Sequence, residues 1–95
     1  MNPAMQFPQI ATRIIKEQEL VIGPLAWSEA SKVEGLTIDQ SHNLVSMSGD
    51  NKNIIDRLVA QYERIFGKTS HEVCREAVHD IIAEMPADEI PSSLK

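Results

Sequence analysis

The stretch SHEVCREAVH, residues 70–79, holds two of the three histidines and the single cysteine of the chain. Thiolate and imidazole are ligands that zinc prefers, so these residue types could form a metal site. On one helix, His79 is rotated by about 140° from Cys74 and displaced by about 7.5 Å along the axis, so the two cannot bind one ion. His71 and Cys74 could share a metal only with two more ligands, for which His42 is one candidate. We therefore expect a buried structural cysteine, with no metal site and no cofactor.

The segment DQSHN brings Asp39, Ser41 and His42 together, which are the residue types of a hydrolytic triad. Such a triad needs a serine hydroxyl that meets a histidine oriented by a buried carboxylate, and neighbours on an exposed turn rarely satisfy that condition. Turn-forming chemistry explains the same residues. We expect no catalysis here, and the sequence holds no other convergent set of nucleophile, base and orienting residue.

Composition describes an acidic globular chain. Its 95 residues include nine Lys and Arg against 14 Asp and Glu, for a net charge of −5, and 42% are hydrophobic. Because the basic residues are dispersed along the chain, nucleic acid and anionic membranes are not expected partners. One cysteine cannot form an internal disulfide, no secretory signal is visible, and no apolar run approaches the ~18 residues of a membrane span. We expect one cytoplasmic domain, residues 1–95, with flexible termini at 1–6 and 86–95.

Apolar spacing predicts two helices in the first third of the chain. The first runs from Pro8 to Ile22, with Gln18 interrupting its apolar stripe. That stripe consists of Ile10, Ala11, Ile14, Ile15, Val21 and Ile22. The following Gly-Pro pair should end this helix and open a second, short one over residues 24–35. Gly35 is placed to cap the second helix in the left-handed conformation.

The hydrophobic period then changes from helical to alternating. Leu36 and Ile38 point to one side, Val45 and Met47 face the same way, and the polar link between them has turn composition. This pattern predicts one antiparallel β-hairpin. A lone hairpin is marginal in water and leaves its outer edges unpaired. Pairing of two hairpins across a two-fold axis would remove exposed edges, so we expect a homodimer.

The strongest helical pattern lies in DNKNIIDRLVAQYERIFG. Asp50 is placed to cap its N-terminus and Gly67 to end it. Its apolar stripe consists of Ile54, Ile55, Leu58, Val59, Tyr62, Ile65 and Phe66. A capping box from Thr69 to Glu72 should then open the last helix, which we expect to end near Met85.

These elements predict an α+β fold of four helices with one central β-hairpin, in the order α-α-β-β-α-α. For function, we expect a small cytosolic protein-interaction or regulatory module that acts as a homodimer with a further, unidentified protein partner. The candidate interface residues are Trp27, Ile38, Val45 and Met47. Trp27 is included because tryptophan is enriched at binding hot spots, and its alternative role is a core anchor beneath the hairpin.

Two other classes of function stay open. The first is a winged-helix-like DNA-binding transcription regulator, in which residues 24–33 would read the major groove and the hairpin would form the wing. The reading helix would carry Lys32 as its one basic residue, against Glu29 and Glu34. The second is an enzyme of unknown type. A contiguous positive face would favour the DNA-binding function, and an apolar or acidic groove would favour the interaction module.

Overall fold

The structure is a computed structural model and describes residues 3–39 and 44–95. Within these ranges the chain forms five α-helices, one two-stranded sheet and two short 3-10 turns. In chain order the elements are α1 (Pro3–Ile22), α2 (Leu25–Ala30), β1 (Leu36–Asp39), β2 (Leu44–Met47), α3 (Asn51–Phe66), α4 (Lys68–Ala77) and α5 (His79–Ile82), followed by turns at Ala87–Glu89 and Ser92–Leu94. The predicted mixture of helices and one hairpin is confirmed, but there are five helices instead of the four predicted.

Helix α1 is the centre of the fold, because α2, α3, α4 and β2 all pack against it. It begins at Pro3, so Pro8 lies inside the helix and not at its start as predicted. Gln18 is fully buried, whereas Val21 is 63% exposed. The buried face advances by three or four residues at a time and passes through Gln18 to the half-buried Ile22. Val21 therefore falls outside the apolar stripe to which the sequence pattern assigned it.

Gly35 positions the hairpin against α3 and does not cap α2. Helix α2 ends at Ala30, and the chain continues in tight turns up to Leu36. Gly35 has a φ of +90°, and a Cβ at this position would come within 2.8 Å of the Ile54 Cδ1 atom. Its carbonyl accepts a hydrogen bond of 2.8 Å from the Ser48 N–H. Glycine is required here both by the backbone conformation and by the close approach of α3.

The predicted hairpin forms, and the four apolar residues predicted to share one face pair across its two strands. Leu36 lies opposite Met47 and Ile38 lies opposite Val45 in an antiparallel pair. Leu36 is buried, and the other three pack partly buried against the core, since β2 lies on α1. The hairpin is therefore supported by the helices of its own chain. Pairing of two hairpins in a dimer stays a prediction.

Both predicted ends of α3 are confirmed. The Asn53 N–H donates to Asp50 Oδ1 at 3.3 Å, and Gly67, with a φ of +87°, donates its N–H to the Glu63 carbonyl at 2.8 Å. The expected burial of Ile65 is wrong, because its side chain is 44% exposed. Ile65 lies at the edge of the stripe, in the last turn of the helix.

The last predicted helix is divided in two. Val78, with a φ of −121° and a ψ of 11°, separates α4 from α5. Helix α4 begins directly after Gly67, and no side chain caps it. The predicted capping box from Thr69 to Glu72 therefore does not form, because Thr69 already lies inside the helix.

Residues 86–95 return across α3 and α4. Pro91 and Leu94 are buried, and Asp56 Oδ1 accepts hydrogen bonds from both the N–H and the hydroxyl of Ser93, at 3.0 and 2.6 Å. The flexibility predicted for this segment concerns motion and stays a prediction, although these contacts argue against it. The same prediction for residues 1–6 lies partly outside the described residues.

Candidate functional site

Cys74 is fully buried in α4, as predicted. Its Sγ accepts a hydrogen bond of 3.3 Å from Gln18 Nε2, which also donates to the Ser70 carbonyl at 2.9 Å. Burial raises the pKa of the Cys74 thiol to about 11. The thiol is therefore protonated at neutral pH, and only a thiolate acts as a nucleophile or metal ligand.

The two histidines near Cys74 have different surroundings. His71 Nδ1 lies 2.9 Å from Glu63 Oε2, and its Nε2 faces the Ser93 carbonyl. His79 is exposed, as predicted. Over residues 3–39 and 44–95, no group of three or more His, Cys, Asp or Glu side chains is placed to hold a metal ion.

The hypothetical triad on the hairpin involves residues that the structure does not describe. Asp39 ends β1 within the described chain, but Ser41 and His42 lie outside it. His42 was also the extra metal ligand considered for His71 and Cys74.

Trp27, the first of the candidate interface residues, occupies a core position. Its side chain is 5% exposed, and its Nε1–H donates to Glu19 Oε2 at 2.7 Å. Ile38, Val45 and Met47 pack partly buried against the core. The structure thus gives Trp27 the role of an anchor between α2 and α1, and an interface at these four residues stays a prediction.

The most exposed large apolar side chains of the described structure are not among the candidate interface residues. We call this set the apolar end, and it consists of Leu20 (79% exposed), Val21 (63%), Leu25 (55%) and Ile65 (44%). The end of α3 is joined to α2 by a 2.6 Å hydrogen bond from the Tyr62 hydroxyl to the Ala26 carbonyl. The end of α1 is joined to the start of α4 by the bond from Gln18 to Ser70. The four side chains therefore lie at the same end of the molecule.

One sequence signal could have located part of the apolar end. A helical stripe drawn through the buried Gln18, instead of around it, directs Val21 and Leu20 away from the core. Single exposed apolar residues are normal on protein surfaces, but several large ones in one region mark contact sites. The apolar end is therefore a candidate interaction surface.

A groove lies on the face of α3 that points away from its core stripe. We call it the α3 groove; it has a volume of about 260 Å³, and its lining residues are Lys32, Val33, Glu34, Arg57, Ala60, Gln61 and Arg64. The four α3 residues are spaced i, i+3, i+4 and i+7, so they share one face of that helix. The other wall is the segment that leaves α2.

A chain of hydrogen bonds crosses from the wall of the groove to α3. Lys32 Nζ donates to Glu29 Oε2 at 3.1 Å, and Gln61 Nε2 donates to Glu29 Oε1 at 2.8 Å. Arg64 Nη2 then donates to Gln61 Oε1 at 2.9 Å. The bond from Gln61, followed by that from Lys32, lowers the pKa of the Glu29 carboxyl. The network holds α2 against α3 and orients two of the cations in the groove.

Two cations of the groove, Arg57 and Arg64, have no ion-pair partner within the described part of the chain. Arg57 is exposed and makes no hydrogen bond or ion pair within the described part of the chain. Arg64 is exposed, and its one bond there is to the neutral amide of Gln61. Arg57 and Arg64 therefore place two available positive charges along one groove of a chain whose net charge is −5.

Comparison with known proteins gives no relative for this chain: no family model matches, and neither curated proteins nor solved structures show significant similarity. In the residues that the structure describes, no helix is long and apolar enough to cross a membrane. The apolar end and the α3 groove are the surface features on which an argument for function can be built.

Proposed function

We propose that the protein is a small protein-interaction module that acts as a homodimer, with the apolar end as the contact between the two copies. The observation that carries this proposal is the exposure of four large apolar side chains at one end of the molecule. Removal of such side chains from water is favourable and is the main driving force in most protein association. A two-fold interface brings the same patch of each copy together, so an apolar patch is complementary to itself.

The apolar end is a better candidate for this contact than the hairpin. Leu36 is already buried, and Ile38, Val45 and Met47 already pack against the core of their own chain. The hairpin therefore offers mainly its backbone edges to a second copy, whereas Leu20 and the rest of the apolar end offer large side chains.

We also propose a cytosolic location and a regulatory role for the protein. A single cysteine, which is buried and unpaired, is compatible with a reducing compartment.

The arrangement of α2 argues against the DNA-binding alternative. The helix is six residues long, and four of those residues are buried: Ala26, Trp27, Glu29 and Ala30. A recognition helix has to present its side chains to the edges of the bases in the major groove. Most residues of helix α2 are buried in the core instead, so we favour a protein-interaction function over DNA binding.

Sedimentation equilibrium tests this proposal. As its concentration rises from micromolar to millimolar, the wild-type chain is expected to approach about twice its mass of 10.6 kDa. The double variant Leu20→Glu/Leu25→Glu places charge in the apolar end and should sediment as a monomer. Its matched control is Ala83→Glu/Ala87→Glu, which adds the same charge at exposed positions elsewhere.

The control should dimerise like the wild type, and thermal melting should show that both variants stay folded. A wild-type chain that is monomeric at every accessible concentration would contradict the proposed dimer. A folded Leu20→Glu/Leu25→Glu variant that still dimerises would place the contact elsewhere.

A further inference from the structure

We infer that the α3 groove binds an acidic segment of a partner protein, in which an apolar residue lies between two carboxylates. The inference rests on the proposed interaction function and names the chemistry of the partner. It depends on a different surface from the apolar end, so the two can be tested apart.

The groove is complementary in charge to an acidic ligand. Three of the seven lining residues are positively charged, and Glu34 is the one acidic residue of the seven. Glu29 accepts hydrogen bonds from Lys32 and Gln61 on the α2 side, which leaves Arg57 and Arg64 to face a ligand. Arginine presents a planar fork of donors that matches a carboxylate, and charge-assisted bonds of this kind are stronger than neutral ones.

The spacing of the two arginines matches an extended peptide. Arg57 and Arg64 are seven residues apart on one face of α3, so their Cα atoms are separated by about 10.5 Å along the helix axis. An extended peptide covers about 10 Å in three residues. Two acidic residues three positions apart can therefore reach both guanidinium groups. Val33 and Ala60 provide apolar surface in the same groove, where an apolar residue between the two acids would pack.

The size and charge of the groove fit a short peptide segment. A volume of about 260 Å³ is below the roughly 300–1,000 Å³ of typical small-molecule sites. A nucleic acid is normally held by a larger set of phosphate contacts, on the order of 6–10 cations. Here Glu34 lies in the lining and Glu29 lies behind it. A short acidic peptide segment fits these features better than either alternative.

Fluorescence anisotropy with a defined probe tests the inference. The probe is a labelled peptide of sequence Gly-Glu-Leu-Gly-Glu-Gly-Glu-Leu-Gly-Glu-Gly, in which acids three positions apart flank each leucine, titrated with the full chain up to millimolar concentration. Its comparators are the same peptide with Gln in place of each Glu, and a single-stranded oligonucleotide. The variant Arg57→Gln/Arg64→Gln removes the two available cations. The matched control Lys16→Gln/Arg75→Gln removes two exposed cations outside the groove.

The acidic peptide should bind the wild type about tenfold more tightly than the Gln peptide, and Arg57→Gln/Arg64→Gln should weaken that binding about tenfold. The control should bind within about twofold of the wild type. Equal binding of the two peptides, an equal loss in the control, no binding of the acidic peptide, or tighter binding of the oligonucleotide would overturn the inference. If any of these occurs while sedimentation still places the dimer contact at the apolar end, the inference about the groove fails alone.

Discussion

At the residue scale, two buried polar side chains are held in their neutral forms. The Tyr62 hydroxyl donates to the Ala26 carbonyl at 2.6 Å, and burial raises the pKa of Tyr62 well above its ordinary value. Burial likewise raises the pKa of Cys74, whose sulfur accepts a hydrogen bond from Gln18. Both groups join different helices through hydrogen bonds in the core, which explains how a chain with few aromatic residues orients its helices.

These raised pKa values predict a loss of stability at alkaline pH. An unfolded cysteine releases its proton near its ordinary pKa of 9.0, whereas folded Cys74 keeps it until about pH 11. Between these values the unfolded state holds fewer protons, so rising pH lowers the free energy of unfolding by up to ~1.4 kcal/mol per pH unit for this group. The contribution of the protonated Cys74 thiol to the free energy of unfolding is fully present below pH 9. Tyr62 adds a similar loss that begins above pH 10.

Urea denaturation at a series of pH values from 8 to 11 measures this effect. The Cys74→Ala and Tyr62→Phe variants should each show a shallower decline than the wild type, and the double variant the shallowest. A decline that is equally steep in the double variant would show that other groups cause it.

At the element scale, the C-terminal segment acts as a strap across α3 and α4. The Asp56 carboxylate on α3 accepts hydrogen bonds from the Ser93 N–H and from the Ser93 hydroxyl, and Leu94 is 5% exposed. The side chain of His71, on α4, lies between Glu63 and the Ser93 carbonyl. This segment therefore covers core surface that the two helices alone would leave open.

The Asp56→Ala variant should release this strap. We expect a loss of about 1–3 kcal/mol in the free energy of unfolding, because the Ser93 N–H loses its acceptor, together with faster digestion by carboxypeptidase. Asp88→Ala is the matched control, since Lys52 contacts residue 88 through its main-chain carbonyl and not through its side chain. Equal digestion rates for the two variants would show that the contact between Asp56 and Ser93 does not hold the segment.

Local sequence patterns predicted the elements that depend on neighbouring residues. Alternation predicted the hairpin and the face shared by Leu36, Ile38, Val45 and Met47, and helix-capping rules predicted the N-terminal cap of α3 at Asp50. The patterns failed where a distant element decides the outcome. Ile65 belongs to the apolar stripe by spacing, but no described element covers it. The break at Val78 could not be read from spacing either, because apolar residues recur at helical intervals on both sides of it.

The candidate sites were harder to predict from the sequence than the fold was. Trp27 was chosen for its residue type, and its burial follows from the packing of α2 on α1. The α3 groove depends on residues 32–34 meeting Arg57 and Arg64, which are 23 or more positions away in the chain. The dispersed cations of the sequence gave no sign of this convergence, since the fold alone brings them together.

At the scale of the whole molecule, the two candidate surfaces adjoin. Arg64 contributes to the α3 groove, and Ile65, the next residue, belongs to the apolar end. Contact between two copies through the apolar end would therefore bring their two grooves near each other. A partner with two acidic segments could then engage both copies, and linkage of two weak contacts raises the overall affinity without any new contact.

The central claim is that copies of this chain associate through the apolar end, and a dilution series of amide NMR spectra tests it most directly. As the protein concentration rises from micromolar to millimolar, chemical shifts should change for residues 19–26 and 64–67. The amides of the hairpin, residues 36–39 and 44–47, should stay constant. Changes confined to the hairpin would contradict the account and support pairing of strands between copies. Spectra with no concentration dependence, from a chain of monomeric tumbling rate, would contradict association altogether.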